Sequence, residues 1–195
     1  MPEPLITIFI RAPRLGTVKT RLAESLGDKA ALDAYQQLTE TVLTQLETFP
    51  RVDLRFTPDD SFQEISRWLR PNWTATPQGS GDLGERMSRV FQNVTTPTLL
   101  IGSDCPYLTT QDLREATLAL ANHDLALGPA CDGGYWLIGM NQPYPALFRD
   151  IAWSTDKVYQ STLHRAEALK LRTWQGRRLS DIDSPDDWSR YQRGQ

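Results

Sequence analysis

The chain has 195 residues, with 21 Lys and Arg against 24 Asp and Glu, a formal net charge of −3. Apolar residues make up 39% and charged residues 23%, the proportions of a globular chain rather than a disordered one. Two cysteines exclude a disulfide scaffold, and the small acidic excess argues against a dedicated nucleic-acid binder.

No apolar run reaches the roughly 20 residues of a membrane span. The apolar stretch from Leu5 to Ile10 has no basic region before it and no small-residue cleavage site after it, so a signal peptide is not expected. A single domain over residues 1–195, cytoplasmic and with reduced thiols, is the expected organisation.

Leu5 to Ile10 is β-branched and apolar and predicts a buried first strand. A basic loop follows from Arg11 to Arg21, broken by Pro13 and Gly16. Leu32, Tyr35, Leu38, Val42 and Leu46 recur at helical spacing and predict a helix over 32–46. Val52 to Thr57 alternates as a second strand, Ser61 to Arg70 reads as a short helix stopped by Pro71, and Trp73 to Thr76 as a short strand. A glycine-rich turn over Gly79 to Gly84 precedes a helix over 85–91. Thr98 to Ser103 is almost wholly apolar, as a central strand covered on both faces would be. A helix over 111–121, strands over 124–128 and 135–139, and a helix over 155–169 capped by Ser154 or Thr155 follow. A final short helix starts after Ser184-Pro185. Strands alternating with helices predict an α/β fold with a mostly parallel sheet, whose ligands bind beyond the carboxyl ends of the strands.

Four loops at such ends carry charge. The first holds Arg11, Arg14, Lys19 and Arg21 around Gly16, a set that suits a polyphosphate or a solvated basic loop facing carboxylates elsewhere. It is not a Walker loop, because the GxxxxGK[ST] pattern is missing. The second places Asp104 at the end of the most apolar strand, where it fits either a Mg²⁺ ligand or a turn. In the third, Asp132-Gly133-Gly134 allows close approach of a ligand and equally predicts a hairpin turn. The fourth, Asp181-Ile-Asp183, puts two carboxylates on one side of an extended segment, costly unless a cation or an arginine sits between them. In the glycine turn, Gly81, Gly84 and Arg86 can reach a nucleoside, while Asp82 also reads as a helix N-cap. On the nucleoside reading, Gly81→Val should harm nucleotide affinity more than stability. No GxSxG elbow is present, and neither Cys105 nor Cys131 has a histidine nearby in sequence.

The motifs Arg11-x-Pro13, Gly16-Thr-Val-Lys-Thr-Arg-Leu-Ala23, Gly81-Asp-Leu-Gly-Glu-Arg-Met87, Ile101-Gly-Ser-Asp-Cys-Pro106 and Gly128-Pro-Ala-Cys-Asp-Gly-Gly-Tyr-Trp-Leu-Ile-Gly139 occur in this order. Together they resemble a GT-A-like family of glycosyltransferases, some of them linked with radical-SAM partners and arsenosugar biosynthesis. That family is similar to the guanylyltransferase acting on phospholactate, to the molybdenum-cofactor nucleotidyltransferase and to sugar-nucleotide synthases. The resemblance implies a three-layer α/β/α sandwich with a mostly parallel mixed sheet, of the GT-A or nucleotide-diphospho-sugar transferase type. It implies a Mg²⁺ (or Mn²⁺) ion held by Asp104 with Asp183 and Asp181, and catalytic roles for Asp104, Lys19 and Asp132. Nucleotide phosphates would meet Arg11, Arg14, Gly16, Lys19 and Arg21, and the nucleoside Gly81, Asp82, Gly84 and Arg86. The acceptor would meet Asp132, Gly133, Gly134, Tyr135 and Trp153. The chain departs from the sugar-nucleotide synthases in lacking their LAGG opening, and from metal-dependent glycosyltransferases in reading Ser103-Asp104-Cys105 where they carry Asp-x-Asp. The expected activity is transfer from a nucleotide-sugar donor to a small acceptor; the alternative is nucleotidyl transfer to a small phosphorylated acceptor. A nucleotide sensor without turnover is disfavoured by the intact Asp104, Asp181 and Asp183.

Overall fold

A computed structural model describes residues 3–194; Met1, Pro2 and Gln195, at the ends of the expected domain, lie outside the described residues. The chain runs through β1 (Leu5–Arg11), α1 (Thr20–Leu26), α2 (Asp28–Leu46), β2 (Val52–Thr57), α3 (Phe62–Ile65), β3 (Thr74–Pro77) and α4 (Leu83–Val90). It continues through β4 (Thr98–Gly102), α5 (Thr110–Ala119), β5 (Leu125–Pro129), β6 (Tyr135–Met140), α6 (Val158–Ala168), β7 (Thr173–Gln175) and α7 (Pro185–Gln192). The strands form one seven-stranded sheet in the order β3-β2-β1-β4-β6-β5-β7. Among the described residues β6 alone runs against the others, pairing antiparallel with both β4 and β5. The other pairings are parallel.

Side chains of β1 and β4 alternate between the two faces, as strand geometry requires. Ile6, Ile8, Ile10, Leu99 and Ile101 pack with Val42 and Leu46 of α2 and Leu113 and Ala116 of α5. On the opposite face, Leu100, Leu125, Leu127, Ile138 and Met140 pack with Met87 and Val90 of α4 and Tyr159 and Ala166 of α6. Outside α2, Leu22 of α1 and Ile182 and Trp188 around α7 add a further cluster. The sheet is therefore covered by helices on both faces, the three-layer arrangement expected. No helix among the described residues is long and apolar enough to cross a membrane.

Three helices begin with reciprocal capping boxes: Asp82 with Glu85, Thr109 with Asp112, and Ser184 with Asp187. The sequence expectation for α6 is corrected. The helix starts at Val158 with no side-chain cap, because 150–157 turns twice through positive φ, at Asp150 (48°) and Ser154 (62°). The Thr155 hydroxyl instead donates to the Ala152 carbonyl. Two further corrections concern the basic loop and the last third. Thr20 and Arg21 open a helix, α1, which presents only Leu22 to the core and so shows little periodicity. The three-residue edge strand β7 pairs with β5 and is too short to carry a pattern.

Asp112 ties α5 to the far end of the chain. Its carboxylate accepts bonds from the Thr109 N–H and hydroxyl and from Nε and Nη2 of Arg177 at 2.6 and 2.7 Å. Burial works to raise its pKa, but the bonds from Arg177 and Thr109 prevail and hold it below the usual carboxylate range. A depressed folded-state pKa means stability present at neutral pH and lost as pH falls through that lowered pKa. Asp112→Ala should cost about 1.5–3 kcal/mol in urea unfolding at pH 7, with the gap to the parent protein narrowing below about pH 4.

Candidate active site

A cleft of about 980 Å³ opens at the sheet edge where the parallel strands end and β6 begins. The reversal of β6 matters here: it brings Tyr135, the first residue of that strand, to the same edge as the ends of β1 and β4. Arg11, at the end of β1, is fixed by the Tyr35 hydroxyl, which accepts from the Arg11 N–H at 2.8 Å and donates to its carbonyl at 2.9 Å.

The acidic wall is assembled by one returning segment. Residues 179–183 bond along the β5–β6 turn, Cys131 N–H to Leu179 carbonyl at 2.9 Å, and then along the end of β4, Ile182 N–H to Asp104 carbonyl at 3.0 Å. The Cys105 thiol adds a bond to the Ser180 carbonyl at 3.4 Å. Asp104, Asp132, Asp181 and Asp183 thereby border the same cleft. Burial, together with the charges of Asp132, Asp104 and Asp183, pushes the Asp181 carboxyl up to about 6. Burial and the Asp104 charge raise the Cys105 thiol to about 12, so it is an inert structural group and not a nucleophile.

Lys19 sits at the centre of this wall. Its backbone is left-handed, φ 47° and ψ 49°, immediately before α1, a conformation costing a side-chain-bearing residue about 1 kcal/mol or more. Its side chain is only 5% exposed, with Nζ 3.5 Å from an Asp104 oxygen and 3.2 Å from an Asp183 oxygen. Burial alone would lower the Lys19 pKa, but the Asp104 and Asp183 charges outweigh it and the ammonium is held more firmly than usual. Arg21 adds a 3.3 Å contact to Asp183 from a largely exposed position. The chain itself thus supplies a cation between Asp104 and Asp183, rather than between Asp181 and Asp183.

Another part of the cleft lining is basic. Arg86 of α4 donates to the Gly81 carbonyl at 3.0 Å, to Gln78 Oε1 at 3.3 Å and to the Thr57 hydroxyl at 3.4 Å. Its partners and the Thr17 carbonyl partner of Arg11 are neutral, and neither guanidinium has a carboxylate within ion-pair distance among the described residues. Gln78, which sequence reasoning missed, is buried and donates to the Ile10 and Arg55 carbonyls at 3.2 and 2.9 Å. It is a neutral residue between Pro77 and Gly79 with no motif to mark it; the proline-glycine flank, which ends a strand at the expected ligand edge, is the signal that could have found it. Tyr35, Ser103 and Trp136 also line the cleft and were not expected there.

Of the residues expected to bind or react, Arg11, Lys19, Arg21, Gly81, Arg86, Asp104, Asp132, Gly134, Tyr135, Trp153, Asp181 and Asp183 border the cleft. Five do not. Arg14 is turned away by a bidentate pair with Glu64 at 2.6–3.1 Å, and Gly16 lies beside Asp28. Asp82 is used as the α4 cap. Gly84 is buried against the Trp153 ring and the Phe148 carbonyl, and the half-buried Gly133, at φ 91°, lies against the Asp156 backbone. The Asp132-Gly-Gly segment forms the hairpin tip between β5 and β6, with the Gly134 N–H donating to Asp132 Oδ1 at 2.8 Å. Among the described residues no three Asp, Glu, His or Cys side chains converge to hold a metal ion.

The bacterial family described as "Uncharacterized protein conserved in bacteria (DUF2064)" matches residues 41–155. The chain belongs to this family. A solved structure described as a nucleotide-diphospho-sugar transferase, from Desulfovibrio desulfuricans G20, is 31% identical over 100% of this chain and 88% of that one (TM-score 0.91). The inositol-1-phosphate CTP transferase from T. maritima is 13% identical, covering 93% of this chain and 90% of its own, with TM-score 0.61. The 4-diphosphocytidyl-2C-methyl-D-erythritol synthase from Anaerococcus prevotii is 10% identical, covering 98% and 97%, with TM-score 0.63; these two share the fold. No curated protein matches the sequence. By these relations the DUF2064 chain is a transferase of the nucleotide-diphospho-sugar transferase fold.

The structure adds a stability cost to the affinity effect expected at Gly81. Gly81 has φ 99°, and a Cβ there would collide with the Glu85 carboxylate that completes the α4 capping box. Gly81→Val should lower stability by about 1–3 kcal/mol, seen as a reduced Tm without any ligand.

Proposed function

We propose that this protein transfers a group from a nucleotide-linked sugar donor to a small acceptor, with the diphosphate lying across the cleft between the acidic and basic walls. The observation that carries the reading is the Lys19–Asp104–Asp183 cluster at the strand ends, in one cleft with two guanidiniums, Arg11 and Arg86, that lack carboxylate partners among the described residues. An anionic ligand supplies what those guanidiniums lack, and Arg offers a forked donor suited to phosphate. Likeness to the Desulfovibrio nucleotide-diphospho-sugar transferase supports the donor class. The motif order supports the radical-SAM-linked, arsenosugar-type branch of the family.

The donor set suits a divalent ion. Asp104 and Asp183 already straddle one cationic atom, and Asp181, whose proton affinity is raised by burial and then by its acidic neighbours, and Asp132 border the same cleft, so four carboxylates stand beside the two cations Lys19 and Arg21. Asp104 and Asp183 would hold the ion, with Asp181 beside them; two carboxylates completed by phosphate oxygens and water is the usual Mg²⁺ arrangement. A bound Mg²⁺ or Mn²⁺ would stabilise the charge of the departing diphosphate. Lys19 and Arg11 would orient the phosphates. Asp132, held at the hairpin tip by Gly134, would take the proton from an acceptor hydroxyl positioned against Tyr135 and Trp153.

Nucleotidyl transfer is the second reading, favoured by the number of cations at the end of β1, since a leaving pyrophosphate needs them. Product analysis separates the two: released nucleoside diphosphate supports glycosyl transfer, released pyrophosphate supports nucleotidyl transfer, and neither product from a panel of donors overturns both. Lys19→Ala should weaken nucleoside diphosphate binding by about 1.5–3 kcal/mol, and Arg21→Ala, at an exposed site, by less than about 1 kcal/mol, both read by calorimetry. Mn²⁺ with a nucleoside diphosphate should raise Tm above either alone, and Asp104→Asn should abolish the metal-dependent part while leaving the protein folded.

A further inference from the structure

We propose that Lys19 acts as a resident stand-in for the divalent cation, so that metal enters the carboxylate pair only when a nucleotide phosphate draws the lysine ammonium away. The inference rests on the metal placement proposed above and concerns what controls it. Lys19 Nζ lies within ion-pair distance of both Asp104 and Asp183, the two carboxylates best placed to share one ion. The lysine reaches them from inside the protein, 5% exposed, while the two carboxylates are 46% and 41% exposed toward the cleft.

An ammonium and a divalent ion do not share this position readily. Both would sit between the same two carboxylates, and like charges a few ångströms apart in a partly buried site repel strongly. Nor can the ammonium simply leave, because a buried lysine without a counter-charge is costly. It needs another anion within reach of its flexible four-carbon stem. The β1–α1 loop that carries Lys19 lines the same cleft as Arg11, so a diphosphate seated there offers that anion. Lys19 would exchange two carboxylates for phosphate oxygens, and the vacated pair would take the metal. Arg21, on the exposed side of Asp183, stays as its partner through the exchange. Nucleotide and metal therefore bind with positive coupling, and by linkage each strengthens the other equally.

Mn²⁺ titrations by calorimetry, with and without ADP, GDP, CDP and UDP, test the exchange on the parent protein, Lys19→Met and Lys19→Gln. Without nucleotide, the parent should bind Mn²⁺ weakly, and both variants about tenfold more tightly, the effect of removing one charge-assisted competitor. The variants should also show the larger Mn²⁺-induced rise in Tm, since their carboxylates are otherwise unbalanced. Variants that fold only once Mn²⁺ is added support the exchange equally. Equal Mn²⁺ affinity in parent and variants without nucleotide overturns it and leaves the metal placement standing. No Mn²⁺ binding by any of the proteins, with or without nucleotide, overturns both. Variants that remain unfolded even with Mn²⁺ also overturn it, because the ammonium would then be irreplaceable by the metal.

Discussion

The ion triad of Lys19 with Asp104 and Asp183 is the contact on which the geometry of the cleft depends. It joins the start of α1, the end of the central strand β4 and the segment before α7, which are separated by most of the chain. Desolvating one ammonium is offset by two carboxylates that remain partly hydrated, so the arrangement avoids the full cost of a buried ion pair. It also explains the left-handed backbone at Lys19: the strain is confined to the residue whose side chain must turn inward.

Hydrogen bonds of the returning segment 179–183 make the triad possible. Its backbone extends the sheet edge past both the hairpin tip and the end of β4, with Ala130 and Leu179 forming an isolated parallel bridge. Ile182, fully buried, anchors it in the cluster with Leu22 and Trp188. With Ile182 pointing into the core, its neighbours Asp181 and Asp183 face the other way, as alternation in an extended chain demands. One apolar side chain thus sets the direction of two charged ones. The capping box of α7, formed by Ser184 and Asp187, stops the segment directly after Asp183.

Much of the fold was legible because its signals are local. Val52 to Thr57 alternates and forms β2 with those bounds, and the apolar run at Thr98 becomes the doubly covered β4. Ser184 caps α7 as its sequence suggests. The elements that escaped, α1 and β7, are short and bury few side chains. Site residues were legible as charges at strand ends but not as partners. The basic loop was expected to face phosphates, or carboxylates elsewhere, and the acidic loops a metal; that Lys19 and Arg21 meet Asp183 across more than 160 positions is a closure that no local pattern encodes. The pairing of Arg14 was illegible for the same reason, since Glu64 lies 50 residues away. The glycines divided likewise: a sequence shows that a glycine is present, not whether the space beside it holds a ligand or, as at Gly84 and Gly133, another part of the protein.

The antiparallel β6 has a consequence for how such a cleft can diversify. Because the closed tip of the β5–β6 hairpin points at the cleft, its length can change without severing a strand connection or altering sheet order. That freedom is curbed on one side. Gly133 lies directly on the Asp156 backbone, and its carbonyl accepts the Tyr159 N–H at 2.8 Å. The hairpin tip and the 150–157 turn, which carries Trp153, are therefore mechanically one wall. A lengthened tip would displace the turn, so residues 130–134 and 150–157 are constrained to vary together, and a swap of substrate preference between relatives would have to exchange both segments at once.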